Sequence, residues 1–325
     1  MNEVAVPARH LGLLPDGRAE PVGRPNAGRG RGRAGEGNLR AHGPGASVLR
    51  PAGMPLTRVP PSTAEASERR RLEQDLRRAL PGGELLVHYQ PRVSLHGGAS
   101  VGAEALVRWL HHRRGLVTPG TFIPVAERCG LINDIGGWVM RAACTEAASW
   151  PGGATVSVNV SAAQLAGGVL ARQVAEALQA SGLPPERLEL ELTESMLVDA
   201  GTETLLMLSA LRDRGINLAL DDFGTGYAGV TALKRLPLTA LKLDRSLLQG
   251  LPYEKEDVAI VRALVQMAHA LDLTVVAEGI ATEMQRLCLA DLGCDEGQAY
   301  LFGRPMPGED VRRRLAEDAA DPSAA

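Results

Sequence analysis

The sequence predicts an α/β protein built as a barrel of eight strands with helices between them. Short apolar or alternating segments recur eight times after residue 67, and stretches with helical periodicity separate most of them. Eight strands within about 250 residues favour a closed TIM-like (β/α)8 barrel. A doubly wound sheet shows the same alternation, but no G-x-G-x-x-G follows the first strand, and Gly224-Thr225-Gly226 follows the fifth.

The predicted strands are short segments that are apolar throughout or that alternate apolar with polar residues. They are Leu85–Tyr89, Ala103–Trp109, Thr155–Val160, Leu188–Leu192, Ile216–Asp221, Ala240–Asp244, Leu273–Glu278 and a weaker one at Ala299–Phe302. The predicted helices are Glu68–Leu80, Ile132–Trp150, Ala162–Ser181, Thr202–Arg214, Glu254–Leu271 and Thr282–Leu292. The first of these helices ends at Pro81-Gly82-Gly83, a strong helix stop.

The composition divides the chain into an N-terminal tail and a globular part. Residues 1–60 hold 11 Gly, 8 Pro, nine Arg, no Lys, four acidic residues and no Phe, Trp or Tyr. Their net charge is +5, so the chain total of -3 leaves -8 for the rest. A segment with so little apolar surface cannot offset the entropy of ordering it. We therefore expect a disordered Gly/Pro/Arg-rich tail at 1–66, a barrel domain at 67–318 and a disordered C-terminus at 319–325.

Several classes of protein are excluded or disfavoured. Hydrophobic residues make up 45% and charged residues 22% of the 325, as in ordinary globular proteins. The small net charge argues against a double-stranded nucleic-acid partner, and the run Gly28–Arg33 has no aromatic residue to stack RNA bases. No signal peptide and no apolar run of about 18 residues is found, which predicts a cytoplasmic protein without a membrane partner. The four cysteines form no CxxC pair and the histidines no HExxH, so zinc is not expected.

Oxygen-bearing side chains stand at or near the ends of several predicted strands. In a barrel these ends converge on one mouth, where catalytic groups gather. Carboxylates that close together need a counter-charge, and oxygen donors without Cys or His select Mg²⁺ or Mn²⁺. Adjacent acidic residues suit two cations for attack on a phosphodiester, and Lys242 has the parity to face the same mouth. Each residue alone is better explained as a solvated strand end, but the set favours phosphoryl chemistry: Glu104, Asn159, Glu191, Asp221, Asp222 and Glu278.

A series of short motifs runs from about residue 72 to 315. It includes Glu104-Ala105-Leu106 and, along the chain, Tyr89-Gln90-Pro91, Phe122–Glu127, Val158–Ser161, Glu191–Ser195, Asp221–Tyr227, Lys242–Ser246, Ala277–Gly279 and Gln298–Leu301. In kind and order these motifs resemble those of the EAL-domain cyclic di-GMP phosphodiesterases, whose signature is matched by Glu104-Ala105-Leu106. The resemblance implies a barrel with one antiparallel strand, hydrolysis of cyclic di-GMP to linear pGpG in bacterial signalling, and a homodimer.

The resemblance also implies roles for individual residues. It assigns Glu104, Asn159, Glu191 and Asp221 to a first divalent cation, and Asp221, Asp222 and Glu278 to a second. The expected catalytic residues are Lys242, which contacts the water at the metal site, with Asp222 and Glu278. Gln90, Arg108 and Gln298 match residues that bind the substrate or support the site, and Glu194 matches the glutamate that braces the loop 222–228.

Three departures from the family pattern leave two functional classes open. Ala281 replaces the second glutamate of Glu-Gly-Val-Glu, Tyr227-Ala228-Gly229 stands where Tyr-Ser-Ser is common, and Ala299 replaces a glycine. None of these removes an expected cation ligand. The sequence favours a metal-dependent phosphodiesterase with reduced activity, and the alternative is a catalytically weak or inactive module that binds cyclic di-GMP or a protein.

Overall fold

The computed structural model of the protein describes residues 63–198, 200–224 and 233–320, with side chains described for 67–196, 200–224 and 233–320. Most of the predicted tail, the segment 225–232 with Tyr227-Ala228-Gly229, and residues 321–325 lie outside these ranges. The first described helix begins at Thr63 and the last ends at Ala320, so each extends a few residues past the predicted domain boundaries.

Within the described ranges, nine strands make up the sheet, and eight of them close into a barrel. They are β1 Leu85–Ser94, β2 Ser100–His111, β3 Gly115–Val117, β4 Thr155–Asn159, β5 Leu188–Thr193, β6 Asn217–Phe223, β7 Ala240–Leu243, β8 Thr274–Glu278 and β9 Glu296–Gln298. The order is β1-β9-β8-β7-β6-β5-β4-β2-β3, and β1 also pairs with β2. Strand β2 pairs in parallel with β4, and from β4 to β9 each strand pairs in parallel with the next. Strand β1 is antiparallel to both β2 and β9. This confirms the barrel with one antiparallel strand.

Helices follow most of the strands and cover the outside of the barrel. They are α1 Thr63–Ala79, α2 Pro119–Arg128, α3 Ile132–Ala147, α4 Ala162–Leu165, α5 Val169–Ser181, α6 Glu194–Val198, α7 Thr202–Arg212, α8 Lys255–His269, α9 Glu283–Asp291 and α10 Gly308–Ala320. Short 3₁₀ turns lie at Ala166–Gly168, Pro185–Arg187 and Arg245–Leu248. Within the described ranges, no helix is both long and apolar enough to cross a membrane.

The strand β5 shows how the barrel separates its apolar and polar layers. Leu188, Leu190 and Leu192 are fully buried on the parity opposite to Glu189 and Glu191. Both glutamates are also buried, at 4% and 1% exposure, so neither face of the strand meets solvent. The half-solvated antiparallel strand that the same pattern allows is therefore excluded. The leucines belong to the main hydrophobic core of the domain, and the glutamates are left for the interior of the barrel.

Two predicted elements differ from the structure. The weak eighth strand at Ala299–Phe302 is wrong, because the strand lies earlier, at Glu296–Gln298, where it pairs with β8 and β1. The backbone N–H of Phe302 donates instead to the carbonyl of Ala299 at 3.1 Å, which turns the chain. The predicted helix Ala162–Ser181 is interrupted after Leu165, since Gly167 and Gly168 both adopt a left-handed conformation with φ of 64° and 71°.

Candidate metal centre

The barrel brings the predicted strand-end side chains to one level of the mouth. Neighbouring strands place Gln90 opposite Glu104 and Asn159 opposite Glu191. The next pairs around the barrel are Thr193 with Asp221 and Glu278 with Gln298. The six predicted oxygen donors therefore come from five different strands and meet at one end of the barrel, as the sequence predicts.

Lys242 lies at the centre of this cluster. Its Nζ is 2.6 Å from Glu278 Oε1, 2.8 Å from Glu191 Oε1 and 3.3 Å from Asp221 Oδ1. The lysine is 1% exposed, so its charge is stabilised by the carboxylates in place of water. Burial lowers the pKa of Lys242, but Glu191, Glu104 and Glu278 outweigh burial and raise this pKa well above its ordinary value.

The carboxyl groups are buried together with the lysine. Burial raises the pKa of a carboxyl group, whereas it lowers the pKa of a lysine. Burial raises the pKa of Glu191 well above its ordinary value, and the charge of Glu104 adds to the effect while Lys242 opposes it. Burial likewise raises the pKa of Glu278 to about 7, against the opposing charge of Lys242. One lysine is thus insufficient to keep the cluster fully ionised, and further positive charge at this point would be strongly stabilised.

Asp221, Asp222 and Glu278 form the tightest group of possible ligands. Each offers a carboxylate oxygen, and these oxygens lie within 4.8 Å of one another. Asp222 has φ of 57°, an uncommon value for a residue other than glycine, and its backbone N–H donates to Asp221 Oδ1 at 2.9 Å. The pairing of β6 with β7 is irregular between Leu220 and Phe223. This local distortion lets two consecutive aspartates serve one centre, whereas a regular strand would send them to opposite faces.

Glu104 lies on the other side of the cluster and is held by amide groups. Asn159 Nδ2 donates to one of its carboxylate oxygens and Gln298 Nε2 donates to the other. Gln298 Nε2 is also 3.5 Å from Gln90 Oε1, and Gln90 in turn donates to the carbonyl of Gly303 at 3.3 Å. Gln90 and Gln298 therefore lie directly beside Glu104, and their role on the substrate side stays a prediction.

Arg108 and Glu194 follow two of the residues of the cluster closely in the sequence, Glu104 and Glu191. Arg108 is partly buried, donates to the carbonyl of Val107 at 2.9 Å, and has a pKa lowered by burial although Glu104 opposes this. Glu194 is 5% exposed and begins the short helix α6 immediately after β5. The contact expected between Glu194 and the loop 222–228 involves residues outside the described ranges.

A cavity of about 570 Å³ opens beside Glu104 and Asn159. Its walls come from β2, α2, α3 and the start of α4, and most of them are apolar. Leu106, Ile123 and Ile135 are among these apolar walls, and Glu127 and Ser161 are among the polar groups. A flat apolar group attached to a ligand at the carboxylate cluster can be accommodated here.

Sequence reasoning missed a second ionic layer one step deeper in the barrel. Arg92 donates to Glu189, and its Nε lies 2.6 Å from Glu296 Oε2. Its other donors reach Ser157 Oγ at 3.2 Å and Thr155 Oγ1 at 2.9 Å. The sequence contains the pattern that could have indicated this layer. Arg92 is two residues from Gln90, and Glu189 is two residues from Glu191, so each lies on the same face of its strand as a residue of the mouth. This layer fills the barrel below the mouth and separates the upper carboxylates from the opposite end.

The departure at residue 281 is visible in the structure. Ala281 is exposed, three residues after Glu278. Its backbone N–H donates at 2.8 Å to Gln285 Oε1, which also accepts from the backbone N–H of Thr282. Thr282 begins α9 in a capping box with Gln285, so the backbone here is fixed without help from the side chain of residue 281.

The donor set fits divalent cations. Both carboxylate oxygens of Glu191 are buried: Oε1 lies 2.8 Å from Lys242 Nζ, and among the described residues Oε2 has no hydrogen-bond donor. Buried carboxylate oxygens without donors are costly unless a cation neutralises them. All the candidate ligands are oxygen donors, the chemistry that suits Mg²⁺ and Mn²⁺. The chemistry of these side chains is therefore compatible with a divalent cation at this end of the barrel.

A closed mixed barrel with one antiparallel strand and a carboxylate cluster around a buried lysine defines the class of this protein. The sequence matches the EAL domain family over residues 73–305. The chain belongs to the EAL domain family, which confirms the resemblance drawn from the motifs.

Individual relatives agree with this assignment. The chain is 43% identical over 257 residues to the bifunctional diguanylate cyclase/cyclic di-GMP phosphodiesterase MucR of Pseudomonas aeruginosa, covering 78% of this chain and 38% of MucR. It is 40% identical over 264 residues to the cyclic di-GMP phosphodiesterase NbdA of the same species, covering 79% of this chain and 34% of NbdA. The chain thus spans between a third and two fifths of these relatives.

The fold is shared with solved EAL structures. One, described as the PaMucR phosphodiesterase in complex with c-di-GMP, is 43% identical, has a TM-score of 0.70, and covers 74% of this chain and 99% of the solved one. Another, the EAL enzyme Bd1971 with cAMP and cyclic-di-GMP bound, is 29% identical with a TM-score of 0.73 and covers 78% of this chain and 70% of that one.

Proposed function

We propose that the protein is a phosphodiesterase that uses two divalent cations, Mg²⁺ or Mn²⁺, to hydrolyse cyclic di-GMP to linear pGpG. The observation that carries the proposal is the convergence of five carboxylates and Asn159 at the mouth of the barrel, where the buried Oε2 of Glu191 has no hydrogen-bond donor among the described residues. The names of MucR and NbdA, which include cyclic di-GMP phosphodiesterase, support the choice of substrate.

Two overlapping sets of residues would bind the two cations. Glu104, Asn159, Glu191 and Asp221 would hold the first, and Asp221, Asp222 and Glu278 the second, with Asp221 shared. Bound cations of this kind polarise a phosphoryl oxygen and lower the pKa of a water molecule. Hydrolysis breaks one P–O3′ bond, so that the phosphorus gains a hydroxyl oxygen from water and the 3′ oxygen leaves with a proton.

Other residues would bind the substrate, and Lys242 contributes a positive charge beside the carboxylates. Lys242 keeps a fixed positive charge beside Glu191, Asp221 and Glu278, where a phosphate anion enters. Without a cation, burial raises the pKa of Glu278 to about 7, so this carboxyl group loses its proton near neutral pH when it takes up the second cation. We assign Gln90, Arg108 and Gln298 to the substrate side, and the cavity of about 570 Å³ beside Glu104 is large enough for one guanine base.

A specific observation favours the alternative of a weak or inactive module that binds cyclic di-GMP. Ala281 supplies no carboxylate three residues after Glu278, where the family pattern has a glutamate. The cation ligands remain complete, so we infer slow hydrolysis and not its absence. A cytoplasmic homodimer remains a prediction of the sequence.

One incubation separates the two functions. The purified protein is mixed with cyclic di-GMP and Mg²⁺ or Mn²⁺, and the products are separated by chromatography. Wild type should form pGpG, whereas Glu104→Ala and Asp221→Ala should form none while melting near the wild-type temperature. The control Asp213→Ala, at an exposed site after α7, should retain full turnover. Binding of cyclic di-GMP without any product from wild type would identify a receptor, and normal turnover in Asp221→Ala would refute the two-cation assignment.

A further inference from the structure

A cavity outside the candidate metal centre is lined by arginines. It has a volume of about 330 Å³ and lies between α1 and α2. Arg69 and Arg77 reach it from α1, and Arg128 reaches it from the last position of α2, while Val125 and Cys129 also line it. The described residues in its walls include no member of the carboxylate cluster. A ligand bound here would therefore occupy a second site.

Helix α1 presents its arginines from a fixed backbone. Leu72, Leu76 and Ala79 of this helix are buried in the main hydrophobic core. The carboxylate of Asp75, also on α1, lies 3.2 Å from the imidazole of His111, the last residue of β2. Arginines on an anchored helix are suited to binding, because the backbone is already ordered before a ligand arrives.

The charges around the cavity are unbalanced. Among the described residues, Glu73 is the only carboxylate in its walls, and its Oε1 is 2.7 Å from Nη2 of Arg77. Arg69 and Arg128 are exposed and form no ion pair within the described part of the chain. The cavity thus has two positive charges without a partner, and an anion placed there would be attracted by all three guanidinium groups.

The helix dipoles account for only two of the three arginines. Arg77 lies in the last turn of α1 and Arg128 in the last turn of α2, where a positive charge stabilises the end of a helix. Arg69 is the seventh residue of α1 and gains nothing from either end, since the effect fades within one turn. It precedes Glu73 by four residues and Arg77 by eight, which places it on the helix face that lines the cavity. An anion shared by the three arginines explains this placement.

The chemistry of arginine and the size of the cavity indicate phosphate groups. The planar guanidinium group donates two parallel hydrogen bonds to a phosphate, a geometry that lysine does not offer. Sites for small molecules measure about 300–1,000 Å³, so a cavity of about 330 Å³ suits a compact ligand. A diphosphate group carries more negative charge than a single carboxylate and can contact several arginines at once.

We propose that Arg69, Arg77 and Arg128 bind a small ligand through a diphosphate group. The group comes either from free pyrophosphate or from a nucleoside diphosphate, which have this chemistry in common. The site goes beyond the proposed phosphodiesterase function and does not depend on it, because none of the proposed cation ligands takes part. It is a binding site only, and no bond of the ligand is broken in it.

Calorimetry measures the affinity of this site directly. The full chain is stripped of divalent cations, transferred to a buffer without phosphate, sulfate or chelator, and titrated with pyrophosphate or with ADP. Pyrophosphate should bind once per chain with a dissociation constant of about 1 mM or below. Equal affinities would show that the diphosphate group alone is recognised, and tighter binding of ADP would identify a nucleotide. Either result supports the site.

Variants show which residues supply the affinity. Arg69→Gln and Arg128→Gln should each weaken pyrophosphate binding by about tenfold or more, as expected for losing a hydrogen bond between charged groups. Glu73→Gln should strengthen binding, because it removes a negative charge from the wall of the cavity. Arg172→Gln, at an exposed position of α5, is the matched control and should bind like wild type. Asp221→Ala, in the candidate metal centre, should also bind like wild type.

Alkylation of a cysteine supplies an independent readout of the location. Cys129 and Cys288 are both half-buried free thiols, and of the two it is Cys129 that lines the cavity. Pyrophosphate should slow the reaction of Cys129 with iodoacetamide and leave the rate at Cys288 unchanged. Mass spectrometry of the digested protein measures both rates in one sample.

The proposal would be overturned if wild type showed no saturable binding of pyrophosphate. It would also be overturned if Arg69→Gln and Arg128→Gln bound like wild type, or if Arg172→Gln lost as much affinity as they do, since the attraction would then be one of overall charge. Loss of binding in Asp221→Ala would place the anion at the metal centre and refute the second site. Hydrolysis of cyclic di-GMP is measured separately, so each of these results leaves the proposed function untouched.

Discussion

Replacing Lys242 by Met should destabilise the metal-free protein strongly, because the lysine is the cation shared by three buried carboxylates. Its Nζ lies between 2.6 and 3.3 Å from oxygens of Glu278, Glu191 and Asp221. Methionine keeps most of the volume but leaves these carboxylates without a counter-charge. Breaking a buried ion pair from one side costs about 3–5 kcal/mol. For a domain of this size each kcal/mol lowers Tm by about 2–4 °C, so the expected fall in chelator is roughly 6–20 °C.

The assay is thermal unfolding followed by circular dichroism, in chelator and again with Mn²⁺. Because the cation would supply the missing charge, Lys242→Met should gain more in Tm from Mn²⁺ than wild type gains. Lys255→Met, at the exposed first residue of α8, is the matched control and should melt with wild type in both conditions. A Lys242→Met variant that melts like wild type in chelator would show that the lysine does not balance the carboxylates.

Three further predictions concern pH, residue 281 and the N-terminal segment. Since the folded pKa of Glu278 is about 7 and its ordinary value is 4.5, the folded state binds the extra proton, and this group's contribution to stability is lost as pH rises from about 4.5 to 7. Chemical denaturation in chelator across this pH range measures whether the free energy of unfolding falls as expected. The affinity for Mn²⁺, measured by calorimetry, should rise by up to about tenfold per pH unit below 7 and then level off. Ala281→Glu should increase kcat by about tenfold or more, since losing groups that support metal ligands typically costs 10–100-fold, and no change in kcat or metal dependence would contradict this. Deleting residues 2–60 should leave Tm and specific activity nearly unchanged, because this segment has few apolar side chains to contribute to a core, and a drop of several degrees would contradict it.

The central cluster could be predicted because its members lie at the ends of recognisable strands. Period-two alternation puts Glu191 on the face opposite the leucines of β5, and the parallel order brings its end beside Asp221. The same parity places Glu189 inside the barrel, but the sequence alone does not show its partner. Arg92 reaches it from 97 residues away, across the closure of the barrel. Such pairings depend on the final order of the strands, which local patterns do not encode.

The errors in the predicted elements have similar causes. The apolar run at Ala299–Phe302 suits a strand, yet the barrel uses Glu296–Gln298, where a Cβ at Gly297 would lie 2.8 Å from Leu95 and 2.9 Å from Ile280. The helix Pro119–Arg128 was not predicted because Pro124 lies inside it and proline usually interrupts helices. Packing against neighbouring elements overrides local preference at these positions.

The location of bound cations tests the two-cation centre most directly. Crystals of the full chain are grown with Mn²⁺, and anomalous diffraction data are collected to locate the ions. The proposal predicts two anomalous peaks about 3.5–4 Å apart, with Asp221 between them. One peak should lie against Glu104, Asn159 and Glu191, and the other against Asp222 and Glu278. The proposal would be contradicted if neither peak appeared at saturating Mn²⁺. It would also be contradicted if the ions bound elsewhere while Lys242 remained paired with Glu191, Asp221 and Glu278.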